Sequence, residues 1–175
     1  MRARDIMSAD PIVVTRDTLM RDAAELMKKY DIGALPVVAT RVVPKLVGMI
    51  TDRDLVTRCM AAGHTGLCRV GEHMTATPDS VLADADVATV ASMMGQEHVR
   101  RLPVTDGDRC VVGMVSLTDV ARALGPTDPA RFAELVVTLT DQKRARPSKP
   151  TPRFFNPEEA EGEGEAAFGA GLAVV

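Results

Sequence analysis

Two stretches carry residue types that can do chemistry, and they are versions of one another. Gly48-Met49-Ile50-Thr51-Asp52-Arg53-Asp54-Leu55 and Gly113-Met114-Val115-Ser116-Leu117-Thr118-Asp119-Val120 each run from Gly through an apolar segment to a hydroxyl, then reach Asp and an aliphatic residue three and four positions later. An apolar run that ends on Ser or Thr and passes into an amphipathic segment is a strand feeding a helix, with the hydroxyl at the first turn. The free N–H groups and positive dipole end of such a helix favour phosphate, and the Asp can accept two bonds from a ribose diol. The residues therefore describe a nucleotide-facing strand-to-helix junction, made twice.

These junctions belong to a repeated unit. Met7-Ser8-Ala9-Asp10-Pro11 returns as Met74-Thr75-Ala76-Thr77-Pro78, an offset of 67, and the same offset carries Leu35-Pro36-Val37 to Leu102-Pro103-Val104. At the glycines the offset falls to 65 (Gly48 to Gly113), which places two extra residues in the first copy's loop around 40–45. Loops tolerate such insertions. In the first copy, Pro11–Thr15 reads as a short strand, with Asp17 or Thr18 as a cap. Leu19, Met20, Ala23, Ala24, Met27 and Tyr30 then fall on one helical face that ends at Asp31-Ile32-Gly33. Strands follow over 35–39 and 46–51, then a helix with Leu55, Val56, Cys59 and Met60 inward, stopping at Gly63.

The second copy repeats this with a strand near 80–82 and a helix burying Val87, Val90, Ala91 and Met94. Strands over 102–105 and 111–116 and a helix over 117–124 complete it. Asp128-Pro129 opens one more amphipathic helix through Phe132, Leu135, Val136 and Leu139. The expected class is α/β (α+β), each repeat β-α-β-β-α, the two packed about a pseudo-twofold axis. The expected boundaries are repeat one at 1–62, a linker at 63–70, repeat two at 71–125, a C-terminal helix at 126–143 and a tail at 144–175. That tail alternates Pro with a basic block (Lys143 to Arg153) and an acidic one (Glu158 to Glu165), a composition that does not order itself.

Composition narrows the function. With 175 residues, 46% hydrophobic, the chain can bury a core. A net charge of −3 and 3% aromatic residues without Trp offer neither a polycationic surface nor stacking platforms, so nucleic acid is not an expected partner. The first residues lack the apolar core of a signal peptide, and no apolar run approaches the roughly 20 residues of a membrane helix. A cytoplasmic chain with no membrane segment is expected. Three cysteines without a C-x-x-C pair fit reduced thiols.

The Gly-aliphatic-aliphatic-[Ser/Thr]-x-x-Asp-aliphatic motif and the Leu-Pro-Val strand, both present in both copies, resemble a tandem CBS-domain pair, the Bateman module, over about 3–124. The resemblance implies a stand-alone regulatory protein rather than an enzyme, with no cofactor and no catalytic residues. It implies a homodimer that senses an adenosine-derived ligand (AMP, ADP, ATP or S-adenosylmethionine), registers energy status and modulates a regulated protein whose identity is not encoded here. By position, Asp54 and Asp119 match the ribose-binding aspartates, and Thr51 and Ser116 the hydroxyls near ribose or phosphate. Arg53 and Thr118 match a spacer that reaches phosphate. Ile32-Gly33-Ala34 and Val99-Arg100-Arg101 match the segment lining the adenine pocket, and Val14-Thr15 and Val81 the opening strand at the cleft. Arg100-Arg101 opposite Gly33-Ala34, and the additional Asp52, imply unequal sites.

Simpler readings stand beside these. A first-turn Asp can merely complement the helix dipole, worth about 0.3–1 kcal/mol. Arg100 and Arg101 are adjacent on a strand, so at most one points into a cleft. Cys59, His64, Cys68 and His73 lack the paired spacing of structural zinc sites, so buried or idle thiols and no metal are expected. Ser116 and His98 lack any reaction-class signature around them. Met20, Met27, Met93 and Met94 read as adaptable core. A ligand-free homodimeric scaffold, recruiting a protein through the C-terminal helix and tail, is the alternative function.

Overall fold

The computed structural model describes residues 1–144, with side chains described to residue 141; the charged tail expected at 144–175 lies outside the described residues but for Arg144. The chain opens with α1 (Ala3–Ile6), β1 (Ser8–Ala9), β2 (Val14–Thr15), α2 (Met20–Tyr30), β3 (Ala34–Val38) and β4 (Leu46–Thr51). A helix follows in three short pieces: α3 (Asp52–Asp54), a π turn (Leu55–Cys59) and a 3-10 turn (Met60–Ala62). Next come α4 (Val70–His73), β5 (Thr75–Ala76), β6 (Val81–Leu82), α5 (Val87–Glu97), β7 (Arg101–Thr105), β8 (Val111–Ser116), α6 (Leu117–Leu124) and α7 (Pro129–Arg144).

Two four-stranded sheets result, ordered β2-β3-β4-β5 and β1-β8-β7-β6. Each repeat thus lends a two-residue strand, β1 or β5, to the other's sheet, while β2 and β6, the opening strands expected from the sequence, pair within their own repeat. Ser8 pairs with Met114 at one edge and Thr75 with Met49 at the other. The exchange explains two glycines. A Cβ on Gly113 would stand 2.8 Å from Met7 Cγ and collide with Met7 Sδ, and one on Gly48 would collide with Met74 Sδ, closer than real Cβ contacts come. The strand ends also join the repeats: Leu46 N donates to Arg109 O (2.9 Å) and Val111 N to Pro44 O (3.0 Å). Val38, Leu46 and Val111 close a small core there. The strand pairings and the two backbone bonds are symmetry mates, so the two copies form an intramolecular pair about a pseudo-twofold axis; the small core breaks the match, with Thr105 standing where the first copy has Val38.

The inward face expected of α5 is buried, Val87, Val90, Ala91 and Met94, and α6 buries Val120, Ala123 and Leu124 beside it. Leu135 and Leu139 of α7 join this second core. The first repeat departs from expectation at its helix ends. Neither Asp17 nor Thr18 caps α2; Thr18 Oγ1 instead accepts from Thr15 N (3.1 Å), and Leu19 holds the cap position without a side-chain bond. Tyr30 is 48% exposed beneath the Lys29 ammonium, because α2 ends there with Asp31 in the left-handed conformation. Val56 and Met60 are exposed, since the π turn rotates them off the face that Cys59 keeps buried.

Asp86 supplies a conventional cap, its Oδ1 accepting from Thr89 N at 2.7 Å. That backbone bond holds its carboxyl below its ordinary pKa. A depressed folded-state value makes the stabilisation fully present above the unfolded pKa and lost as pH falls through the folded one. Thermal unfolding is therefore expected to show Asp86→Ala below wild type at neutral pH, with the gap closing on acidification; a gap independent of pH sinks this account.

Candidate functional site

Both junctions form the same closed hydrogen-bond ring. Asp119 Oδ2 accepts from Ser116 N (2.9 Å) and Ser116 Oγ (2.6 Å), while Asp119 N donates back to Ser116 Oγ (3.3 Å). In the first repeat Asp54 Oδ2 accepts from Thr51 N (3.0 Å) and Thr51 Oγ1 (2.7 Å), and Asp54 N donates to Thr51 Oγ1 (3.2 Å). Each is a capping box in which the acid sits three residues past the hydroxyl. The hydroxyl protons are committed to the carboxylates, so Thr51 and Ser116 remain as acceptors and as rigid supports. The Ser116 proton is held by Asp119, and no nucleophile–base pair with His98 forms.

The second carboxylate oxygen distinguishes the copies. Asp54 Oδ1 is held by Arg58 Nε at 3.1 Å, and its side chain is 11% exposed. Among the described residues Asp119 Oδ1 has a single loose partner, Arg122 Nη1 at 3.8 Å, and its side chain is 20% exposed. Asp119 is the freer acceptor. The inequality expected between the copies thus extends to the aspartates themselves, through an Arg58 that the motif did not flag.

Beside Ser116 lies a cleft of about 350 Å³ lined by Arg100, Arg101, Ser116, Leu117 and Thr118, with Val136, Leu139 and Thr140 of α7 on its far side. That volume is near the small end of ligand pockets, about 300–1,000 Å³. Both arginines border it, although adjacent strand residues were expected to diverge. Leu117 N donates to Arg100 O (2.8 Å), as Asp52 N does to Gly33 O (3.2 Å), which ties the backbone of the 99–101 and 32–34 segments to the helix starts. Arg101 also crosses to the first repeat. A Cβ on Gly33 would lie 3.4 Å from Arg101 Nη2 and 2.7 Å from Asp52 Oδ2, so guanidinium and carboxylate converge where Gly33 leaves room.

Other expected residues are placed differently. Val14 and Val81 are buried in their own repeat's core. Thr15 opens on a separate hollow of mixed charge, with Asp17, Asp22 and Glu25 facing Lys29 and Arg41. Ala34 is buried, Ile32 and Val99 half-buried, and Arg53 exposed. The residues that sequence reasoning missed are Val136, Leu139 and Thr140. Their helical period was visible, but not the cleft they cover.

A second constellation sits at the linker. Cys59, His64, Cys68 and His73 bring their ligand atoms within 4.8 Å of one another. Cys59 Sγ and Cys68 Sγ are 3.2 Å apart, as are His64 Nδ1 and His73 Nε2. Burial, then the neighbouring Cys59 thiol, pushes the Cys68 thiol up to about 11. The sequence offers these four as candidate ligands but their spacing argues against a shared site; the reversing turn at Gly63 and the packing of the linker on α2 bring them together all the same.

With the repeat, the exchanged strands and the paired capping boxes in place, the class is a tandem α/β repeat pair. The CBS domain model matches residues 3–61 and 70–126, and the chain belongs to the CBS domain family. Among curated relatives, CBS domain-containing protein YhcV of Bacillus subtilis is 36% identical over 67% of this chain and 81% of its own. Hypoxic response protein 1 of Mycobacterium tuberculosis is 37% identical over 77% of this chain and 92% of its own. The crystal structure of Hypoxic Response Protein I with two coordinated zinc ions superposes with a TM-score of 0.63 at 36% identity, covering 70% of this chain and 98% of that one. The CBS domain pair of protein MJ0100, in complex with 5-methylthioadenosine and S-adenosyl-L-methionine, gives 0.64 at 30% identity, covering 73% and 98%. No helix among the described residues is long and apolar enough to cross a membrane.

Proposed function

We propose that this protein is a non-catalytic sensor of an adenine nucleotide, taken up in the cleft beside Ser116 and read out by α7. The observation that carries the reading is the pair of acid-and-hydroxyl corners, the freer of which adjoins a cleft bordered by two arginines. The ribose diol is assigned to Asp119, the phosphate to Arg101 and Thr118, and the adenine to the Val99–Arg101 backbone. The MJ0100 pair, which holds two adenosine derivatives, supports the ligand class. The arginines favour a phosphorylated member of it, because guanidinium binds phosphate in a bidentate fashion that a thioether cannot accept.

A ligand regulates only through states that bind it differently. Helix α7 offers those states, since Val136, Leu139 and Thr140 share the cleft that the ligand would fill. The reading includes a cytoplasmic homodimer and a regulated protein partner. Val56 and Met60, exposed on the first repeat's last helix, are available for such contacts.

Isothermal titration with AMP, ATP and S-adenosylmethionine tests the proposal. AMP or ATP is expected to bind, and Arg101→Ala to weaken it by roughly 10–100-fold, the equivalent of one charge-assisted bond. Any binding of 5-methylthioadenosine, which has no anionic group, should be unmoved by that change. Absence of heat with all three at millimolar concentration overturns the reading.

A further inference from the structure

We propose that Cys59, His64, Cys68 and His73 form a zinc site that clasps the linker between the repeats. The donor set is two thiols and two imidazoles, the combination that suits zinc and is poorly suited to magnesium or calcium. Bond lengths of about 2.3 Å to sulfur and about 2.0–2.1 Å to nitrogen set tetrahedral edges of about 3.8 Å between sulfurs and about 3.3 Å between nitrogens. The observed separations, 3.2 Å for each pair and 4.8 Å at most across the set, come within about an ångström of that figure. The two cysteines are free thiols, and their sulfurs stand well beyond the roughly 2.05 Å of a disulfide.

The local fold converges on this point from four directions. Cys59 ends the π turn, the turn that also rotates Val56 and Met60 outward. Gly63, at φ 78°, reverses the chain so that His64 N can donate to Cys59 O (3.1 Å). The Cys68 carbonyl is fixed by Met20 N at the start of α2 (2.9 Å), and His73 is the last residue of α4. Cys59 and His73 are buried while His64 is exposed, which gives an ion a wall to rest on and a side from which to enter. Bound zinc would join the first repeat's final helix, the linker and α4, tying residues 60–67, all but one of them exposed, to the core that holds Cys59 and Val70.

The site has a physical link to the junction already described. Arg58 Nη1 donates to His73 O at 2.9 Å while its Nε holds Asp54 Oδ1. A clasped His73 therefore also steadies the guanidinium that occupies the first-repeat carboxylate. This link leaves the metal site independent of whether any nucleotide binds.

The test uses the full chain, without a polyhistidine tag and purified under reducing conditions. Elemental analysis should find one zinc per chain. Cobalt, added after chelation, should give ligand-field bands of tetrahedral intensity together with thiolate-to-metal charge transfer. Cys68→Ser should remove about half of the charge-transfer intensity, as expected for one of two thiolates in a four-ligand site. His64→Ala, a change at an exposed position that leaves the core intact, should retain that intensity but weaken cobalt binding by more than the roughly 10–100-fold usual for substitutions outside the ligand shell. Three outcomes overturn the proposal: no uptake of stoichiometric cobalt, uptake unaffected by His64→Ala and Cys68→Ser, or a Cys59–Cys68 disulfide in the reduced preparation.

Discussion

Replacing Asp119 with Ala is expected to lower adenine-nucleotide affinity by about 10–100-fold or more, while Asp54→Ala has the smaller effect on binding. The asymmetry follows from the second carboxylate oxygen. In Asp119 it meets, among the described residues, only Arg122 at 3.8 Å and can accept from a ribose hydroxyl without displacing a partner. In Asp54 the same atom is bonded to Arg58 at 3.1 Å, so a ligand would first have to break that contact. Stability should rank the two the other way. Asp54 is 8% exposed and accepts from Thr51 twice and from Arg58 once, so its loss should cost about 1–2 kcal/mol as a removed cap, with little added for the half-exposed arginine. Calorimetric titration beside urea unfolding separates the two ranks. Equal loss of affinity in both variants would show that the Arg58 contact does not govern access.

The second large effect concerns the exchanged strands. Gly113→Ala is expected to destabilise the fold by about 1–3 kcal/mol, the usual range for overpacking a well-filled site. The added carbon would meet Met7 Cγ at 2.8 Å and Met7 Cβ at 3.1 Å, where the N-terminal segment lies across β8. Met7 must withdraw, and the Ser8–Met114 and Ala9–Gly113 pairing loosens with it. Combining Gly113→Ala with Met7→Ala should recover part of the loss, a coupling that a double-mutant cycle in urea measures. Strict additivity would mean that the glycine serves the strand for some other reason. The mate at Gly48 faces Met74 Cγ at 3.1 Å and the Thr75 carbonyl oxygen at 3.2 Å, and the second of these cannot rotate away.

The two junctions were legible because their chemistry is local. A hydroxyl and an Asp three residues apart at a strand end close a capping box whatever the rest of the chain does, and the repeat showed that both corners belong to one architecture. The inward face of α5 was legible for a similar reason, since helical periodicity records which side is buried. The ends of the first repeat's helices were not. Periodicity extends past the point where a left-handed Asp31 or a π turn stops a regular helix, so Tyr30, Val56 and Met60 were assigned to a face that the backbone had already left.

By itself, then, the chain order determined the duplicated unit, its paired acid-and-hydroxyl corners and the segments able to form regular elements, because these depend on neighbours within about one helical turn. Only the tertiary structure decided that each repeat lends its first strand to the other, since two-residue strands carry no periodicity to read. It alone brought Arg101 beside Gly33, laid α7 over the cleft and gathered Cys59, His64, Cys68 and His73. Those arrangements depend on where packed cores and reversing turns place distant backbone, and no spacing in the sequence encodes that distance.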